Sequence, residues 1–160
     1  MTTYLLNTNI WLRSVQPESP HYRLATMATA QLLTQRHDIV LTAQNIIEFW
    51  SVATRSVTAN GLGWSVDIAD REVARLLTQF SFCSDTADVF VHWRQLVTTH
   101  RVGGRRVHDV RLVAVMLAHG ITHLLTFNDA DFRSFPMITV VTPQDVMELQ
   151  EVSNDRTGAI

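Results

Sequence analysis

Short β-prone runs alternate with longer helical periods along the chain, and that alternation narrows the fold more than any other feature. Runs at residues 3–6, 39–41, 80–83, 123–127 and 138–141 have the length and composition of strands in a small sheet. Between them apolar residues recur at helical spacing. Leu24, Met27, Ala28 and Leu32 do so within residues 22–35, and Val110, Val113, Ala114 and Leu117 within 107–119. A helix over 43–55, capped by Thr42, is expected to bury Ile46, Ile47, Trp50 and Ala53 or their neighbours. Further helices are expected over 65–78 and 86–99, and a last one opens at Thr142-Pro143, a capping residue followed by proline at the first helical position. Strand–helix alternation of this kind predicts an α/β fold, a short parallel sheet covered by helices on both faces. Residues 1–150 form one domain on this reading, and residues 151–160 a polar C-terminal tail, frayed from about Ser153.

Composition removes several functional classes. Apolar residues make up 46% of the 160 and charged residues 18%, enough for a real core and too ordered a mix for a disordered chain. The net charge is −2, and all 13 basic residues are arginine, so nucleic acid is not held by bulk charge, although a local basic patch is allowed. One cysteine, Cys83, excludes an intrachain disulfide and a multi-cysteine zinc site. The apolar stretch over residues 112–118 falls far short of the roughly 20 residues that span a bilayer. With no basic leader at the start, a cytoplasmic protein away from membranes is expected.

In parallel sheets covered on both faces, ligands gather outside the carboxyl ends of the strands. Polar residues fall at those ends: Asn7 after the first strand, Glu48 in the helix after the second, Asp109 opening a helix, and Asp129 and Asp131 beyond residues 123–127. Carboxylates gathered there repel one another unless a cation neutralises them, and Mg²⁺ or Mn²⁺ prefers such oxygen donors. Taken singly, each acid also reads as a helix cap or solvated turn residue, and Asp109 as an acid complementing a helix dipole.

Four segments carry a family resemblance: Leu5-Leu6-Asn7-Thr8-Asn9-Ile10, Asn45-Ile46-Ile47-Glu48-Phe49-Trp50, Val107-His108-Asp109-Val110-Arg111-Leu112-Val113-Ala114, and Leu124-Leu125-Thr126-Phe127-Asn128-Asp129-Ala130-Asp131-Phe132. In this order and at these spacings the chain resembles the PIN domain family, and within it the VapC-like ribonuclease toxins of toxin–antitoxin pairs. The resemblance implies a PIN-like α/β/α sandwich and a Mg²⁺- or Mn²⁺-dependent endoribonuclease in which water attacks an RNA phosphodiester in line. It matches Glu48, Asp109 and Asp131 to the family's second, third and fourth acids. Asp129 is a further acid beside the last motif, and Thr8 and Asn128 match polar positions that support the metal. It also implies a homodimer and a cognate antitoxin.

One position departs from the pattern. The family's first motif begins with aspartate, and this chain has Asn7. A neutral amide removes one negative charge from the metal site, and its nitrogen cannot be a ligand. The expectation is an impaired enzyme that Asn7→Asp restores. The alternative is a catalytically inactive RNA- or protein-binding module on the same fold. A receiver-like signalling domain also gathers acids at strand ends, but the chain has no lysine and its motifs follow a different order.

Arg101, Arg105 and Arg106 surround Gly103-Gly104 just before Asp109 and suit a mobile basic lip for the RNA backbone. Arg111 is one turn further on, with its role open. His108 reads as structural, and no pair of histidines has zinc spacing. Trp11, Trp50, Trp64 and Trp93 read as core or interface, and Cys83 as inert.

Overall fold

The computed structural model describes residues 1–157, with side chains through residue 150. Strand β1 (Thr3–Leu6) runs into a short helix α1 (Thr8–Arg13), followed by α2 (Tyr22–Thr34), β2 (Asp38–Thr42) and α3 (Ala43–Thr54). The chain continues through α4 (Val66–Gln79), β3 (Ser81–Cys83), α5 (Ala87–Thr99) and α6 (Arg106–His119). It ends in β4 (His123–Leu125), β5 (Thr139–Val141) and α7 (Pro143–Thr157).

All five strands are parallel, in the order β3-β2-β1-β4-β5. Alternation along each strand divides the core in two. Leu5, Val40 and Leu124, in register across β1, β2 and β4, pack against α5 and α6 with Val113, Met116 and Phe132. Leu6, Leu41 and Leu125 face the other way, onto Ile10, Leu32, Phe49 and Val146 of α1, α2, α3 and α7. This is the expected α/β/α sandwich. The chain builds outward from β1 through β2 to β3, then returns to place β4 on the other side of β1. A crevice therefore opens beyond the carboxyl ends of β1 and β4, at the topological switch point.

Several local expectations shift. Residues 8–13 form a helix rather than a turn alone, started by the Asn7 side chain accepting from Thr8 N–H. In α2 the buried stripe is Ala25, Ala28 and Leu32, while Met27 is 41% exposed. In α3 Ile47 is 67% exposed; Gln44, Asn45, Phe49 and Ala53 take the inward face, and Trp50 is half-buried. Polar groups at the start of α3 are drawn in by hydrogen bonds, which rotates the apolar stripe away from Ile47. Helix α6 buries Leu112, Val115 and Met116 besides Val110, Val113 and Ala114, because the sheet, α5 and the segment after β4 enclose it, and Leu117 is only half-buried. Helix α7 continues to Thr157, beyond the expected fraying at Ser153, and residues 158–160 of the expected tail lie outside the described residues. No helix among the described residues is long and apolar enough to cross a membrane.

Candidate acidic site at the strand ends

Asn7 ends β1 and caps α1. Its Oδ1 accepts from Thr8 N–H at 2.8 Å, and its Nδ2 donates to Thr126 Oγ1 at 2.9 Å. The first bond requires an acceptor, so the orientation of the amide follows: the end facing Thr126 is the nitrogen. Thr126 is fully buried just after β4 and also accepts from Asn128 N–H at 3.0 Å and from Asn9 Nδ2 at 3.3 Å. Asn7 N–H in turn donates to Leu125 C=O at 2.9 Å. Thr126 is thus the joint between the first and last motifs.

Glu48 stands on α3, which starts with a capping box between Thr42 and Asn45. Asn45 Nδ2 reaches across to Leu6 C=O at 3.1 Å and Thr8 Oγ1 at 3.2 Å. Thr8 Oγ1 donates to Glu48 Oε2 at 2.7 Å, and Gln44 Nε2 donates to Glu48 Oε1 at 2.8 Å. The same Gln44 nitrogen donates to His108 C=O at 2.8 Å, while Gln44 Oε1 accepts from Arg111 Nη1 at 3.1 Å. Arg111 pairs with Asp85 at 2.9 Å. A continuous chain of polar groups therefore runs from Asp85 through Arg111 and Gln44 to Glu48 and Thr8.

Asp109 lies in the first turn of α6, half-buried, and its carboxyl has no hydrogen-bond partner among the described residues. Burial raises its pKa above the ordinary carboxylate value, and the charges of Asp131 and then Glu48 push it further, against the pull of Arg106 and His108. Asp131 closes a single turn of 3₁₀ helix, Asp129–Asp131, and its C=O accepts from Arg106 Nη2 at 3.0 Å. Asp131 and Glu48 therefore both bear on Asp109, and of the three only Glu48 and Asp109 line the cleft itself. Asp129 does not join them: its carboxylate is bound by Arg133, with Nε at 2.7 Å, and that hydrogen bond lowers its pKa.

Asn7, Thr8, Glu48, Asp109 and Asn128 line one open cleft of about 480 Å³, walled also by Ile47 and Arg55. Arg101, Arg105 and Arg106 are exposed at the entry to α6, Arg101 with φ 51° and Gly104 with φ 64° in the loop between them. His108 sends only its carbonyl toward Glu48, by way of Gln44, and its exposed side chain lines a separate groove with Phe90 and Trp93. Trp11 is buried and donates to Leu6 C=O, Trp64 packs edge-on against Phe49, and Trp93 donates to Val107 C=O. The half-buried Cys83 thiol is raised by desolvation.

Among the described residues no three His, Cys, Asp or Glu side chains come together so that they could hold a metal ion between them. Mg²⁺ seldom uses a closed cage of protein ligands, since it keeps several waters and takes one or two carboxylates. A half-buried carboxylate without a partner, facing two like charges, fits such a cation; Asp109 is that group. Glu48 adds charge, but both its oxygens already accept hydrogen bonds. Asn7 adds no charge, its oxygen is engaged by Thr8 N–H and its nitrogen repels a cation.

An α/β/α sandwich with acids at its switch point defines a class of proteins with an acidic, oxygen-rich ligand cleft. The PIN domain family matches residues 4–136, and the chain belongs to that family. No curated protein matches it significantly. Its fold is similar to that of VapBC-1 from nontypeable Haemophilus influenzae, at 15% identity and TM-score 0.69, over 89% of this chain and 99% of that one. A toxin–antitoxin complex from Klebsiella pneumoniae is similar at 20% identity and TM-score 0.59, over 88% and 97%. So is VapC20 from Mycobacterium tuberculosis, described as a sarcin–ricin loop cleaving toxin, at 17% and 0.62, over 82% and 95%.

The residues missed from sequence are those that hold the acids in place. Gln44 lies four positions before Glu48, a helical spacing that brings two side chains together. Thr126 falls inside the run read as a strand over 123–127, which hides that it follows β4 as Asn7 follows β1. Arg55 is seven residues beyond Glu48 and caps the C-terminus of the same helix, and nothing in the local sequence distinguishes it from a solvated arginine.

Proposed function

We propose that this PIN-domain protein is a toxin-type endoribonuclease, dependent on Mg²⁺ or Mn²⁺, that hydrolyses RNA phosphodiesters at the acidic cleft and is impaired by Asn7. The observation that carries the reading is Asp109: a half-buried carboxylate with no hydrogen-bond partner among the described residues, under the charges of Asp131 and Glu48. On this reading Asp109 and Asp131 hold the cation, Glu48 adds its charge and Asn7 occupies the position of the remaining ligand. When bound, the cation would lower the pKa of an attacking water and offset charge on the phosphate.

The chain's own groups do the positioning. Thr8 and Gln44 fix Glu48, Thr126 fixes Asn7, and Asn128 borders the cleft. Arg106, tied to the Asp131 turn, and the exposed Arg101 and Arg105 attract the RNA backbone beside Asp109. Asp129 takes no part, because Arg133 neutralises it. The solved toxin–antitoxin complexes of similar fold support an antitoxin as the cognate partner, and we assign the protein a homodimeric form in the cytoplasm.

A second reading, a binding module without catalysis, is favoured by Asn7 itself, whose amide is satisfied on both sides. The two readings part in one experiment. Incubation of a mixed RNA pool with the protein and with Asn7→Asp, in Mg²⁺, Mn²⁺ or EDTA, is expected to give EDTA-sensitive cutting by Asn7→Asp only. No cutting by either well-folded form favours the binding module.

A further inference from the structure

We propose that Arg55 is a binding site for an RNA backbone phosphate within one or two nucleotides of the one that is cut, so that the strand lies along α3 between Arg55 and Arg106. This rests on the ribonuclease reading and adds the path of the substrate to it.

The cleft does not stop at the acids. Glu48, Ser51 and Val52 form one stripe along α3, Arg55 caps the C-terminus of that helix, and all four line the cleft. Seven residues at 1.5 Å each put Arg55 about 10 Å along the helix axis from Glu48, so that it reaches a phosphate within one or two nucleotides of the acids. The guanidinium shares this wall with a carboxylate but has no acceptor among the described residues; the ion pairs there use Arg75, Arg111 and Arg133. On the other side of the acids, Arg106 is anchored to the Asp131 carbonyl. Two arginines thus flank an acidic centre. A polyanion crossing mutually repelling carboxylates needs positive charge on either side, and phosphate contacts of this kind set register without reading sequence.

The backbone of Arg55 is held with unusual care for an exposed residue. The loop after α3 folds back, so that Leu62, Trp64 and Gly63 N–H groups bond to the carbonyls of Val52, Ala53 and Arg55 at 3.0, 2.8 and 2.8 Å. A Cβ at Gly61 would fall 2.1 Å from the Arg55 carbonyl oxygen, so only glycine lets the loop close there. Trp64 then packs edge-on against the fully buried Phe49, tying the loop to the core.

The test uses the full chain as it stands, with a fluorescently labelled single-stranded RNA of mixed sequence, in Mg²⁺ over a series of salt concentrations. Arg55→Ala is expected to weaken binding about five- to tenfold and to flatten the salt dependence by about 0.7, the value of one lost single-strand phosphate contact. Arg55→Lys is expected to keep the slope, and Arg23→Ala, on α2 away from the cleft, to change neither quantity. Unchanged binding and slope in a folded Arg55→Ala overturns the proposal, as does an unmodified chain that binds no RNA. Cleavage by Asn7→Asp judges the ribonuclease reading separately. If that form cuts RNA while Arg55→Ala binds normally, only the path is wrong, and the arginine is left for a protein partner.

Discussion

The two sides of the cleft are built on opposite principles. On the β1–α3 side the polar groups beside the acids are tied: Asn7 to Thr8 and Thr126, Glu48 to Thr8 and Gln44, and Asn45 to Leu6 and Thr8. On the α6–β4 side the carboxyls of Asp109 and Asp131 have no hydrogen-bond partners among the described residues, and the charge of Asp131 bears on Asp109. The first arrangement gives stability and fixed geometry. The second stores unfavourable charge that a cation would relieve, and on the proposed reading that is the source of binding energy for a metal. Asn7 matters because it joins the stable side at the expense of the charged one.

Substitutions that move a residue from one side to the other test this contrast. The largest effect is expected for Asn7→Asp. Thr126 would then donate its hydroxyl to a carboxylate instead of accepting from an amide, and RNA cleavage should rise by about 100-fold or more, as when a misplaced reacting group is brought into position. Initial rates on a defined RNA measure it.

Next comes Thr126→Val, which leaves Asn7 Nδ2 buried without its acceptor. A loss of about 1–3 kcal/mol and a fall in Tm of about 3–10 °C are expected by calorimetry. Gln44→Leu should cost less, about 1 kcal/mol, because Glu48 keeps Thr8 and Arg111 keeps Asp85. An effect as large as that of Thr126→Val would mean that the polar chain from Asp85 to Glu48 supports the fold and not the site alone.

The smallest effect has the opposite sign. A carboxyl whose pKa is raised on folding binds its proton more tightly in the folded state, so its contribution to stability declines as pH rises from the unfolded value through the folded one. At neutral pH Asp109→Asn is therefore expected to stabilise the metal-free protein, raising Tm by about 1–2 °C after solvent screening. The gain should vanish in acid, where Asp109 is protonated, and a scan of Tm against pH for both forms reads it. A loss of stability at neutral pH would break the comparison.

The fold was legible because strand runs and helical periods are local, and the carboxylates because each sits in a short local motif: Glu48 in the helix after β2, Asp109 in the first turn of α6 and Asp131 just beyond β4. Residues whose role depends on a partner far along the chain were not. Gln44 matters through His108 and Arg111, and Thr126 through Asn7, 119 residues earlier. The motif singles out Asp131, just before Phe132, but nothing local shows that Arg133, one helical turn on, takes Asp129 out of the site. The register of α3 misled for the same reason: long-range hydrogen bonds draw Gln44 and Asn45 inward and leave Ile47 in solvent.

Calorimetric titration of Mn²⁺ into the protein as it stands, into Asn7→Asp and into Asp109→Asn tests the central claim most directly. Asn7→Asp is expected to bind at least about tenfold more tightly than the unmodified chain, a difference of about 1.4 kcal/mol, and Asp109→Asn to lose binding. Equal affinity in all three forms, or none in any, would contradict a cation site built on Asp109 and weakened by Asn7.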